Sequence, residues 1–163
     1  MTKLVLTIRK GDGVSFQEVQ DAVLSLGGFK YNGTFNVTNG TATATGDNLT
    51  ADWTFAGNST ETGYNAPSSK DDKAETVSYT LILFPQVFSS PLPITAITGG
   101  QSFSATLDFT DANVDAGDTD AQNEWVAGRQ YNLSVTLHKT GITVNDSTIQ
   151  GWEEADGDDV IIN

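Results

Sequence analysis

Apolar residues recur at every second position over several long runs of this chain. Leu4, Leu6 and Ile8 alternate with Val5, Thr7 and Arg9. Val77, Tyr79, Leu81 and Leu83 share one phase of TVSYTLILFPQ until Pro85 stops it, and Phe103, Ala105, Leu107 and Phe109 share one in QSFSATLDF. The most regular stretch is WVAGRQYNLSVTLHKTGITVNDSTIQGW, residues 125–152. There Tyr131, Leu133, Val135 and Leu137 alternate with Asn132, Ser134, Thr136 and His138, and the pattern resumes at Ile142 and Val144 after a Lys-Thr-Gly turn. A period of two sends successive side chains to opposite faces, so each run predicts a strand with one face buried. Trp53 and Phe55 predict another strand over 50–56.

Between these runs the chain is punctuated by turn chemistry. Asn32-Gly33 and Asn39-Gly40 are hairpin signals, because both central residues of the favoured turn need positive φ. Ser15 followed by Glu18 is a capping-box pattern and predicts a short helix within 16–22, unable to run past Gly27-Gly28. Residues 57–75 and the acidic stretch 110–124 read as exposed loops, and a proline-marked loop leads through PITAI. The acidic EEADGDD sets a terminal VIIN apart. Roughly nine or ten strands with almost no helix predict one all-β domain over residues 1–163, an antiparallel β-sandwich with at most one short helix.

A length of 163 residues suits one such domain, able to bury roughly 70% of the surface its unfolded chain exposes. The chain has no cysteine, which excludes a disulfide framework, thiolate metal sites and a cysteine nucleophile. Twenty-one acidic residues against eight basic ones give a net charge of −13. Nucleic acid binding rests on cationic contacts to phosphate, and this surface repels it; anionic membrane surfaces are disfavoured for the same reason. No apolar run reaches the ~18 residues of a membrane-spanning helix. High negative charge suits a secreted or surface-displayed protein. MTKLVLTIRKGDG, read as a strand without a cleavage site behind it, leaves open a cytoplasmic protein or a fragment whose leader has been removed.

Candidate chemistry is sparse. The single histidine, His138, falls on the polar phase of its strand and reads as solvated rather than catalytic. The carboxylates cluster in loops without a spacing that signals a glycosidase pair. Asp111-x-Asn113-x-Asp115 matches the first ligand positions of an EF-hand loop, but Ala116 replaces the turn glycine and Gln122 the closing glutamate. No catalytic residue, metal site or cofactor is therefore expected, and folding is expected to be independent of calcium. Seven Asn-x-Ser/Thr triplets follow from composition. Trp53, Trp125 and Trp152 raise a sugar-stacking platform as one reading, but strand tryptophans are more often core; Trp125, at the end of the acidic loop, is the exception kept for the platform.

Laid out in order, the strands resemble those of the Bacteroidales fimbrillins. The resemblance rests on a strand ending in Pro85-Gln86, a Gly128-x-x-Tyr131 entry into the alternating strand, and a closing Ile149-x-x-Trp152. The N-terminal half, from KLVLTIRKGDG through GTFNVTNG, is similar in outline. The resemblance implies a transthyretin-like sandwich and a structural, non-enzymatic role in type V pili or related surface fimbriae, extracellular at the outer-membrane surface. Members are lipoproteins, anchored through a lipobox cysteine and usually built of two domains. This sequence shows neither leader nor cysteine, which leads to the expectation of a C-terminal domain from a two-domain parent. Partners implied are other pilus subunits joined by strand exchange, and host surface ligands. By position, Val160, Ile161 and Ile162 would form the exchanged strand. A carbohydrate-binding module or sugar-capturing surface lipoprotein domain is the alternative function, and an exposed coplanar aromatic pair would be its sign.

Overall fold

In the computed structural model, which describes residues 1–57, 64–88, 91–107, 124–145 and 148–151, the N-terminal alternation forms strand β1, Thr2–Lys10, with Leu4, Leu6 and Ile8 buried. Helix α1, Phe16–Gln20, follows, begun by the expected capping box: the Ser15 side chain accepts from the Glu18 N–H while Glu18 reaches back to the Ser15 N–H. The chain continues through β2 (Val23–Phe29), β3 (Asn32–Asn36), β4 (Thr41–Thr45), β5 (Leu49–Trp53), β6 (Ser68–Asp71) and β7 (Thr76–Leu83). Then come β8 (Gln86–Val87), β9 (Leu92–Thr98), β10 (Gln101–Leu107), β11 (Glu124–Trp125), β12 (Arg129–His138), β13 (Gly141–Val144) and β14 (Thr148–Gly151).

These strands build an all-β sandwich. One sheet runs β13-β12-β1-β7-β6, with β14 also on β12, and the other runs β10-β9-β2-β5. Their inner faces share one core, to which Leu6, Tyr79 and Val135 come from the first sheet and Leu24, Ile94 and Trp53 from the second. Pairing is antiparallel except that β1 and β12 run parallel, Leu4 beside Tyr131 through Lys10 beside Leu137. The two strands lie far apart in sequence, so no tight turn dictates their direction. The return from β12 is one antiparallel partner in two pieces. Val135 pairs Val144, whereas Asn132 pairs Thr148, so the return strand advances by one residue, as at a β-bulge. Asn145 stands at that step, its N–H donating to the Ser134 carbonyl at 2.8 Å and its side chain bonding Thr136 and Ser134.

The described residues hold fourteen strands, more than expected, and the misread segments have physical reasons. Gly27-Gly28 does not end a helix; it lies inside β2. There Gly28 takes φ +87 and the register to β5 shifts between Gly27 and Phe29, a bulge that glycine permits. The proline-marked segment is not a loop either, since β9 sits between β10 and β2. Pro93 is tolerated because β2 pairs β9 only from Ile94 onward, and Pro93 lies beside the bulged Gly28, where no N–H is needed. Within the stretch 57–75, expected as a loop, the polar SSKD becomes edge strand β6 through its pairing with β7. Asn39-Gly40 falls in the β3–β4 connection, but as the end of a four-residue loop, 37–40. Gly40 takes φ +72 there and Asn39 does not take positive φ, so it is not the two-residue turn expected; Asn32-Gly33 lies in β3 instead. A Cβ at Gly33 would overlap the Phe84 ring, so that glycine serves close packing rather than a turn.

Candidate functional site

One end of the sandwich collects the aromatic residues. β1 begins there, β7 and β2 end there, and the short β8–β11 ribbon crosses it. Trp125 meets Phe29 edge-on at 4.5 Å between centroids and Phe88 at 5.4 Å. Phe29 in turn packs on Tyr31 at 4.3 Å, and Tyr31 reaches Trp53 and Tyr64 at 5.9 and 5.5 Å. The polar atoms of Tyr31, Trp53 and Tyr64 bond to the protein itself. The Tyr31 hydroxyl donates to the Leu26 carbonyl at 2.7 Å, and the Trp53 indole N–H to the Tyr64 carbonyl at 3.2 Å. Tyr64 imitates a strand neighbour for Ile82, whose N–H donates to the phenol oxygen at 2.8 Å while the phenol donates to the Ile82 carbonyl. Burial pushes the Tyr31 and Tyr64 hydroxyls above the usual phenol range.

The structure brings Pro85, Gln86, Gly128, Tyr131 and Ile149 to this end and gives the last four visible contacts. Gln86, just past Pro85, holds Lys30 by both backbone groups: the Lys30 N–H donates to Oε1 and Nε2 donates to the Lys30 carbonyl, each at 2.8 Å. Gln86 also pairs with Trp125 across the ribbon. The Val126 N–H donates to the Tyr131 hydroxyl at 2.9 Å, and the Thr2 hydroxyl donates to the Val126 carbonyl at 2.7 Å. Gly128, at φ +76, donates its N–H to the Met1 carbonyl at 2.9 Å. Ile149 is buried directly opposite Tyr131. The segment entering β12 is thus fastened to β1, β8 and β12 at once. Trp152 and the Val160, Ile161 and Ile162 segment lie outside the described residues.

Trp125 is corrected by this geometry. It is 1% exposed and faces Phe29 and Phe88, because the β8–β11 pairing turns it inward. Trp53 is fully buried as expected. Every ring pair given above is tilted or edge-on and faces the core, so Trp53 and Trp125 do not form the flat exposed pair that sugar stacking requires.

Other candidates separate in space. His138 lies at the opposite end, where its Nδ1 accepts from the Asp12 N–H at 3.1 Å and fixes the turn after β1. Nearby, a cavity of about 280 Å³ is lined by Glu18, Thr98, Gln101, Phe103 and Lys139. Hydrogen bonds from the Ser15 backbone and hydroxyl hold the Glu18 carboxyl below its ordinary range. Three separate stretches, 14–18, 98–103 and the turn at Lys139, supply this cavity, which no local pattern reveals. The described residues contain no group of three potential metal-ligating side chains and no helix long and apolar enough to cross a membrane. Asp111, Asn113 and Asp115 lie outside the described residues. Adding a chelator is expected to leave the melting temperature unchanged, whereas a tightly held ion would stabilise the fold by mass action and its removal would lower it.

Against known proteins, a family model described as "Fimbrillin-like" matches residues 1–152. No curated protein matches the chain. Among solved structures, a crystal structure described as a candidate cell adhesion protein from Bacteroides ovatus superposes with a TM-score of 0.62 at 20% identity, covering 96% of this chain and 46% of that one. Another so described, from Bacteroides uniformis, gives a TM-score of 0.57 at 20% identity, covering 93% of this chain and 50% of that one. The chain spans about half the length of these structures, and at such identity the likeness is one of fold.

Proposed function

The chain belongs to the fimbrillin-like family, and on that premise we propose that it is a structural, non-enzymatic domain of a cell-surface fimbria, joined to other pilus subunits by strand exchange. The family match over residues 1–152 carries this reading, because it spans both sheets and the fastened aromatic end. The geometry agrees with a load-bearing part. Gln86, Gly128, Tyr131 and Ile149 join β-structure at a point where β1, β2, β7 and β12 converge; Pro85 directly precedes Gln86, and Trp152 continues that series in sequence. The two sheets also leave edges to which a neighbour's strand can add through backbone hydrogen bonds. The domain would work outside the cell at the outer-membrane surface, as one of two sandwich domains in its parent, with host surface ligands as further partners.

In this reading Val160, Ile161 and Ile162 form the donated strand. Deleting residues 157–163 is then expected to leave the melting temperature of the 163-residue chain nearly unchanged, while the same deletion in the full-length parent abolishes polymerisation. If the tail instead packs on its own domain, deletion removes several kcal/mol, since burying each large aliphatic side chain contributes roughly 1.5–3 kcal/mol. Thermal denaturation of the truncated chain separates these outcomes, and a collapse in stability would reject the donor-strand assignment.

A further inference from the structure

The β3–β4 hairpin stands apart from the rest of the molecule. Its strands pair with each other and with no third strand among the described residues. One face at its base rests on the Phe84 ring through Gly33; beyond that, Phe35 is 57% and Val37 85% exposed. Free strand edges invite pairing with other chains, and proteins ordinarily guard them with Lys, Pro or inward charges. This hairpin has none of these. Residues 31–46, YNGTFNVTNGTATATG, carry no charged side chain in a protein of net charge −13. Two copies approaching elsewhere bring carboxylates together, whereas two copies approaching hairpin to hairpin do not.

The sequence of β4 narrows the partner further. Thr41-Ala42-Thr43-Ala44-Thr45 reads the same in both directions about Thr43. An antiparallel pair of identical strands related by a two-fold axis sets each residue against its mirror position. Centred on Thr43, that pairing puts Thr against Thr on one face and Ala42 against Ala44 of the second copy on the other. Both faces stay consistent across the joint. The exposed Thr/Asn face of Asn32, Thr34, Asn36 and β4 threonines continues as a polar surface. On the reverse, Phe35 and Ala42 of one copy extend into Ala44 and Gly33 of the other, an unbroken apolar row.

We propose that the β4 edge is a self-association surface, through which two copies of this chain join their hairpins into a four-stranded sheet about a two-fold axis at Thr43. This contact is independent of the tail-mediated exchange proposed above and needs no residue beyond 145. A five-residue strand pair is small, so association should depend on concentration rather than form a permanent dimer.

The absence of cysteine makes the arrangement directly testable. Thr43→Cys and Thr34→Cys each introduce a single thiol at an exposed position on the same face, one directly across from the other in the hairpin. About the proposed axis the two Cys at position 43 face each other, but those at position 34 lie three strand spacings apart, about 14 Å, too far for a disulfide. Under mild oxidation Thr43→Cys is expected to form a disulfide-linked dimer at least about tenfold faster than Thr34→Cys, both variants retaining the parent's circular dichroism. Faster linkage of Thr34→Cys would place the contact on the β3 edge, equal rates would indicate random collision, and linkage of neither would show a free hairpin. Each of these overturns the proposal.

Discussion

Raising the pH through 10 is expected to cost the domain stability steeply, because two phenols must stay protonated inside its core. Tyr31 and Tyr79 are buried. Burial raises both above the ordinary phenol value of about 10, Tyr79 up to about 12. In the unfolded chain both ionise near 10, so above that value the unfolded state binds fewer protons than the folded one. Stability is therefore fully present below pH 10 and is lost as pH rises toward the folded values. Each such group contributes a slope of about 1.4 kcal/mol per pH unit, or about 3 kcal/mol for the two, and half-buried Tyr64, raised by the same cause, adds a smaller share. Urea denaturation on either side of pH 10 measures the fall, and equal stability on both sides would contradict it. Tyr79→Phe isolates one share. The Tyr79 hydroxyl has no hydrogen-bond partner among the described residues, so removing it should leave neutral-pH stability unharmed and reduce the alkaline slope by about a third to a half.

Trp125→Ala is the second large expectation, a destabilisation of about 3–5 kcal/mol, as for other buried aromatic truncations. The change opens a hole between Phe29 and Phe88 and removes side-chain packing where the ribbon pairs with Gln86. A loss of this size is a large share of the stability of a small domain, and a fall of many degrees in melting temperature should report it. A Trp125 that served as a sugar platform would behave differently: its loss would abolish ligand binding and barely move the melting temperature. An unchanged melting temperature would thus reject its role in the core.

Much of the fold was legible because alternation is enforced locally. Leu4, Leu6 and Ile8, then Val77 to Leu83, then Tyr131 to Leu137 all bury the phase that the sequence marks, since a strand half in water must separate its faces. The Ser15–Glu18 cap was readable for the same reason, as both partners lie within four residues. Gly40 marked the β3–β4 connection by its own chemistry, because it takes the positive φ that glycine favours.

What the sequence could not contain was which strand lies beside which. β6 is a strand only because β7 offers it hydrogen bonds, and β9 accommodates Pro93 only because β2 bulges at Gly28. Gly33 belongs to a strand because Phe84, distant in sequence, occupies the space of its missing side chain. Trp125 adjoins an acidic loop in sequence, yet pairing with Gln86 turns it into the core. Gln86 itself carried no visible role until folding set it against the backbone of Lys30. Local periodicity therefore determined the strands and their buried faces, whose cause lies within a few residues. Strand neighbours, the parallel β1–β12 pair and the fastening of the aromatic end were decided by contacts between distant segments, which exist only once the two sheets close over a common core.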